Sequence, residues 1–129
     1  MNKILIIGLG LIGGSIARTI KSQKLDYEVF AIDQNQDSID AAKSSNVIFE
    51  GSTEKSFIHS KDFYLIIIST PISAFFEYAD LVLRTQSIVA VTSSSFDAIC
   101  RFVESSSEND SFKQSLVFSH PIAGSEKSG

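Results

Sequence analysis

The run Gly8-Leu9-Gly10-Leu11-Ile12-Gly13 stands directly after an apolar stretch, Ile4-Leu5-Ile6-Ile7, and opens a segment with helical periodicity, Leu11 to Lys21. A second apolar stretch, Glu28 to Ile32, ends at an acidic residue, Asp33, about twenty residues beyond the last glycine of the run. Strand, glycine turn, helix, strand and terminal carboxylate, in that order, are the pattern of a βαβ unit that binds a dinucleotide. Each part has a mechanical reason. Gly8 lets the chain turn sharply out of the strand. Gly10 has no side chain to keep a pyrophosphate from the backbone. Gly13 lets helix and strand pack closely. The first N–H groups of the helix, beginning at Leu11 and Ile12, and the positive end of its dipole face the phosphates.

The rest of the chain continues the alternation. A helix is expected from Asp37 to Ser44 and a short third strand at Val47 to Phe49. The fourth strand, Tyr64 to Ser69, is apolar through its middle, as in a strand buried on both faces. Pro71 breaks the chain, and Ile72, Phe75, Phe76, Ala79, Val82 and Leu83 then follow at helical spacing. A fifth strand is expected at Ser87 to Val91, a fourth helix at Phe96 to Glu104, a serine-rich loop at Ser105 to Ser115 and a sixth strand at Leu116 to Phe118. Strands that alternate with helices imply a parallel sheet covered on both faces. The expected fold is therefore α/β, a Rossmann-type doubly wound sheet in three αβα layers. Right-handed crossovers favour strand order 3-2-1-4-5-6.

Two short segments bear on cofactor choice. Asp33 is placed to accept hydrogen bonds from the adenosine ribose hydroxyls, and it repels a 2′-phosphate. Gln34-Asn35-Gln36, which follow, bring no positive charge. NAD is therefore expected over NADP. A competing reading has Asp33 merely capping the next helix. FAD also binds such units. Ser69-Thr70-Pro71 closes the fourth strand, at the carboxyl edge where ligands of open α/β sheets sit. Its alternative role is helix initiation, with Thr70 as cap and Pro71 at the first helical position.

Composition removes several function classes. With 129 residues, 43% of them hydrophobic, the chain makes one domain with a real core. A net charge of -4 and scattered Lys and Arg argue against nucleic acid. No stretch is long and apolar enough to span a bilayer, and the N-terminus does not read as a cleaved signal. Cys100 is the single cysteine, so no internal disulfide forms and a reducing cytoplasm is the expected setting. It falls in the apolar series Phe96, Ile99, Cys100, Val103 and reads as a buried small hydrophobe. No metal site is expected. His59 lies in a polar stretch, Glu54 to Asp62, and is expected to be exposed.

The closing run, His120-Pro121-Ile122-Ala123-Gly124-Ser125-Glu126-Lys127-Ser128-Gly129, is more specific than the glycine fingerprint. Together with Gly8 to Gly14 and Ile67-Ile68-Ser69-Thr70-Pro71-Ile72, it resembles the prephenate and arogenate dehydrogenases of tyrosine biosynthesis. The resemblance covers the whole chain but only the first part of that family's length. It implies a dinucleotide-binding domain over residues 1–129, incomplete at its C-terminal end. It also implies that the helical domain, which forms the family's homodimer and supplies an arginine for the substrate carboxylate, is absent. The implied reaction takes hydride from C4 of prephenate to the nicotinamide, releases the ring carboxylate as carbon dioxide and leaves 4-hydroxyphenylpyruvate. By the resemblance, His120 is the base that hydrogen-bonds the C4 hydroxyl, a role that suits a neutral imidazole. Ser95 is the best match for a serine near the substrate. The family's neighbouring acid and lysine are not matched, because Thr92 or Ser93 stands for the acid and Asp97 for the lysine. Glu126 and Lys127 match the motif as supporting residues.

Three functions compete at this point. The first is the NAD domain of a prephenate or arogenate dehydrogenase, acting on a small molecule. The second is a non-catalytic NAD-binding module left by truncation, which the altered Thr92 to Asp97 segment favours and the intact His120 run opposes. The third, another small-substrate Rossmann dehydrogenase, is disfavoured by the same run. On the resemblance, residues 1–129 alone are expected to be nearly inactive.

Overall fold

A computed structural model describes residues 2–82, 85–92 and 116–118. Strand β1 (Asn2–Ile7) leads into α1 (Leu11–Ser22), β2 (Tyr27–Ile32), α2 (Gln36–Ser44) and β3 (Glu50–Ser52). A 3-10 turn (Lys55–His59) precedes β4 (Leu65–Ile68), α3 (Ile72–Val82), β5 (Ile88–Val91) and β6 (Leu116–Phe118). The strands form one six-stranded sheet in the order β3-β2-β1-β4-β5-β6, with every pairing parallel. This is the expected doubly wound order.

Side-chain alternation along the strands explains the layers. Leu5 and Ile7 of β1, Phe30 and Ile32 of β2, and Ile66 and Ile68 of β4 face one way, where Phe75, Tyr78, Ala79 and Val82 of α3 cover them. Ile4, Ile6, Val29, Ala31 and Ile67 face the other way, against Ala17 and Ile20 of α1 and Ile39 of α2. Fully burying each large aliphatic side chain contributes about 1.5–3 kcal/mol. The central strands carry such residues on both faces, so they are nearly continuous hydrophobic runs.

The third strand lies later than its apolar signal. Val47 and Ile48 do not enter the sheet; their N–H groups bond back to the Ala42 carbonyl, at 2.8 and 3.3 Å, and they close the C-terminal end of α2. Phe49 is 64% exposed, and its ring meets Phe30 edge-on. Pairing with Phe30, Ala31 and Ile32 falls instead to Glu50, Gly51 and Ser52. An edge strand needs backbone groups more than apolar side chains. Gly51 suits it, because a Cβ there would come within 2.9 Å of Ile39 Cγ2 and 3.0 Å of the Ala31 carbonyl.

The stretch from Glu54 to Asp62 is also less polar in space than in sequence. Its 3-10 turn buries Ile58 and packs Phe57 against the core, while His59 is exposed as expected. The expected helix at Phe96 to Glu104, the Ser105 to Ser115 loop, Cys100 and Leu83 lie outside the described residues.

The tightest contact in the fold joins α1 to the turn after β1. A Cβ on Gly13 would stand 1.9 Å from the Gly8 carbonyl oxygen and 3.1 Å from Ile6 Cγ2. Rigid backbone leaves no way to yield except by moving the whole helix. Gly13→Ala should therefore cost roughly 3 kcal/mol or more despite alanine's better helix propensity. Urea unfolding checks this; a variant as stable as the parent would contradict the contact.

Candidate functional site: a cleft at the carboxyl edge of the sheet

The cleft is built outward from Gly8. Its φ is +99°, a left-handed conformation that side chains resist, and this sends the chain out of β1 and back into α1. The Gly8 N–H donates to the Ile32 carbonyl at 2.7 Å, so the turn leans on β2. The next N–H, of Leu9, donates to Asp33 Oδ2 at 2.7 Å. The other carboxylate oxygen accepts from the Asn35 N–H at 2.8 Å, and the Asp33 N–H donates to Ser52 at 3.2 Å. Asp33 thus ties the β1 turn, the end of β2 and the end of β3 together. It does not cap α2; Asn35 does, accepting from the Asp37 N–H at 2.8 Å. Each Asp33 oxygen still has a lone pair for a further donor.

The start of α1 is left open. Gly10 is its N-cap and provides no side-chain bond, the first turn holds no acidic residue, and the first intrahelical bond runs from Gly14 to Gly10 at 2.8 Å. The N–H groups of Leu11, Ile12 and Gly13 are thereby free among the described residues, at the positive end of the helix. Among the described residues, nothing lies within 4 Å of where a Gly10 Cβ would be. The space that a side chain would fill is open to an anion.

The facing wall comes from β4 and α3. Ser69 donates its N–H to Ile7 at 2.8 Å, and Thr92 at the end of β5 donates its hydroxyl to Ser69 Oγ at 3.0 Å. The Pro71 carbonyl starts α3 by accepting from Ala74 and Phe75 at 2.9 and 3.0 Å. Thr70 is not the cap that its position before Pro71 allows. Its Oγ1 is buried and has no hydrogen-bond partner among the described residues. An unpaired buried hydroxyl costs about 1–3 kcal/mol, which a ligand with a matching group would recover.

Gly8, Gly10, Asp33, Ser69, Thr70 and Pro71 together line a cleft of about 400 Å³. Of the other expected contacts, Leu11 has its side chain 83% exposed, and Ile12 and Gly13 lie behind it in the first turn. Ser95, His120 and the run to Gly129 lie outside the described residues.

The sequence reading missed the α3 side of the cleft. Ser73, Ala74, Glu77 and Tyr78 line it, spaced three and four apart as one helical face must be. That spacing after Pro71 was the available signal. Tyr78 is 3% exposed, and burial raises its phenol above the usual tyrosine range. Glu77 and Asp33 act the same way, against Lys55, so Tyr78 stays neutral and able to donate a hydrogen bond at physiological pH.

A larger cavity of about 490 Å³ lies at the opposite, amino edge, lined by residues such as Ile20, Tyr27, Val47 and Phe49. It meets the C-terminal ends of α1 and α2, which offer carbonyls and no N–H donors; Lys21 and Lys43 line it, but it holds no orphaned polar atom among the described residues. Size alone does not make it the site. The carboxyl-edge cleft has the carboxylate and the unpaired hydroxyl, and the open start of α1 follows directly on Gly10 of its lining.

Comparison with known proteins gives the family. A family model of the prephenate dehydrogenase nucleotide-binding domain matches residues 16–129. The prephenate dehydrogenase of Lactococcus lactis subsp. cremoris is 31% identical over 133 aligned residues, covering 100% of this chain and 36% of that protein. The Bacillus subtilis prephenate dehydrogenase is 30% identical, covering 98% and 34%. The chain spans about a third of the length of these curated relatives. In the crystal structure of prephenate dehydrogenase from A. aeolicus in complex with hydroxyphenyl propionate and NAD+, the like fold has a TM-score of 0.78 at 24% identity, over 96% of this chain and 43% of that one. The chain belongs to the prephenate dehydrogenase family, as a nucleotide-binding domain of it.

Proposed function

We propose that the carboxyl-edge cleft binds NAD, and that the protein of which this domain is part oxidises prephenate to 4-hydroxyphenylpyruvate. The observation that carries the cofactor reading is the open start of α1 beside Gly10, where free N–H groups meet empty space. The residues present fit the dinucleotide. Leu11, Ile12 and Gly13 offer N–H donors to the pyrophosphate. Asp33 has lone pairs for the ribose hydroxyls, and its charge disfavours a 2′-phosphate. Thr70 Oγ1 and the neutral Tyr78 hydroxyl offer further polar contacts along the opposite wall. When bound, NAD would accept the hydride.

Prephenate is favoured over arogenate because both curated relatives above are prephenate dehydrogenases. His120, in the run that carries the family resemblance, is proposed to accept a hydrogen bond from the substrate's C4 hydroxyl. Ser95 is proposed to lie near the substrate. The full-length protein is read as a homodimer, as the resemblance implies, and as working in the cytoplasm, as the single cysteine suggests. Among the described residues no helix is long and apolar enough to cross a membrane.

Thr70→Val keeps shape and removes the unpaired hydroxyl. Without ligand it should hold or raise stability by up to about 1 kcal/mol, yet NAD should raise its melting temperature less than it raises the parent's. A thermal-shift series with and without NAD reads both; a clear loss of stability without NAD would mean that the hydroxyl is paired.

His120→Asn in the full-length enzyme keeps a polar group but removes the base. Turnover of prephenate should fall by roughly 10²–10⁴-fold, the usual worth of acid–base help, with NAD affinity little changed. Parent activity should decline toward acid pH as the imidazole protonates and stops accepting. Near-normal turnover in the variant would assign the chemistry to another group.

A further inference from the structure

Lys55 is a cation that the sequence around Asp33 does not reveal. It opens the 3-10 turn just after β3, and the end of β3 is bonded to Asp33 through the Ser52 carbonyl. Lys55 therefore rises from the same edge of the sheet as the carboxylate that faces the ribose. Its ammonium lies 5.6 Å from the ring centroid of Tyr78, a wall of the cleft, and 3.2 Å from Glu77 Oε1. Glu77 lines the same cleft, while among the described residues none that lines it is cationic.

We propose that Glu77 is a cofactor-specificity residue that holds Lys55 in an ion pair and so withholds a positive charge from the 2′-phosphate of NADP. The inference rests on the cofactor reading above. Asp33 alone excludes the phosphate by direct repulsion, but a lysine beside it would supply an opposing attraction. An ammonium free to reach a phosphate makes a charge-assisted hydrogen bond and cancels much of that repulsion. Paired with Glu77, it carries little net field into the cleft, and the repulsion by Asp33 is left unopposed. The pair does little for the fold. Both side chains are nearly half exposed, at 45% and 47%, and such pairs contribute about 0–1 kcal/mol. A selective role explains the placement better than a stabilising one, and the variants should fold.

Calorimetric dissociation constants for NAD and NADP, on the full chain, provide the test. Glu77→Gln should lower the ratio of the NADP constant to the NAD constant roughly tenfold, the worth of one charge-assisted hydrogen bond. Adding Lys55→Ala should restore the ratio, and added salt should shrink the effect. The same cycle on an Asp33→Ser background, with the Leu9 and Gly10 amide resonances checked for an intact turn, keeps NADP binding within measurable range. An unchanged ratio in both backgrounds overturns the proposal. So does a drop that survives Lys55→Ala, because Glu77 would then act by its own charge alone. Failure of the parent to bind either dinucleotide overturns the cofactor reading, and this inference with it.

Discussion

A single carboxylate organises the functional edge of this domain. Asp33 accepts the Leu9 N–H with one oxygen and the Asn35 N–H with the other, and so pins the glycine turn to the end of β2. The turn sets where α1 begins, and the beginning of α1 sets where its free N–H groups point. The close approach of Gly13 to the Gly8 carbonyl then fixes the helix against β1. Bonds to backbone N–H groups by a charged acceptor are worth about 1.5–3 kcal/mol each. Asp33, proposed above to face the ribose hydroxyls, is therefore also a clamp on the start of α1. Replacing it disturbs both, so readings of its variants need a check on the turn itself.

The cleft is asymmetric in a way that suits a dinucleotide. One wall is backbone, Gly8 and Gly10, and α1 starts directly after it. The other is side chain: Ser69, Thr70, Glu77 and Tyr78. Backbone donors are stiff and suit phosphates, whose charge needs no particular orientation. Side-chain hydroxyls are directional and suit the ends of the molecule. Thr92, one strand further along, holds Ser69 in place through its hydroxyl. The sheet order β1-β4-β5 brings these three strand ends side by side, at the point where the winding of the sheet reverses.

The fold was legible because its strands are apolar and its helices periodic. β1, β2, β4 and β5 were found within a residue or so of their ends, and β6 was found at Leu116 to Phe118. β3 was misplaced because Val47 and Ile48 are apolar for a different reason, closing the end of α2, while the true edge strand is Glu50-Gly51-Ser52. In the site, Gly8, Gly10, Asp33 and Thr70 were legible because a turn, a close approach and a strand end each demand particular residues. Glu77 and Lys55 were not. Each is an ordinary charged residue on its own helical turn, and only the packing of α3 beside the 3-10 turn brings them together.

The dinucleotide is proposed to lie in the carboxyl-edge cleft and not in the larger cavity at the amino edge. Titrating NAD into the isotope-labelled chain and following backbone amide resonances distinguishes the two. The largest shifts should fall at Leu9, Gly10, Leu11, Ile12, Asp33 and Thr70, with Tyr27, Asn46 and Phe49 unmoved. Shifts that gather at Tyr27, Asn46 and Phe49, with the Gly8 to Gly13 turn silent, would contradict it.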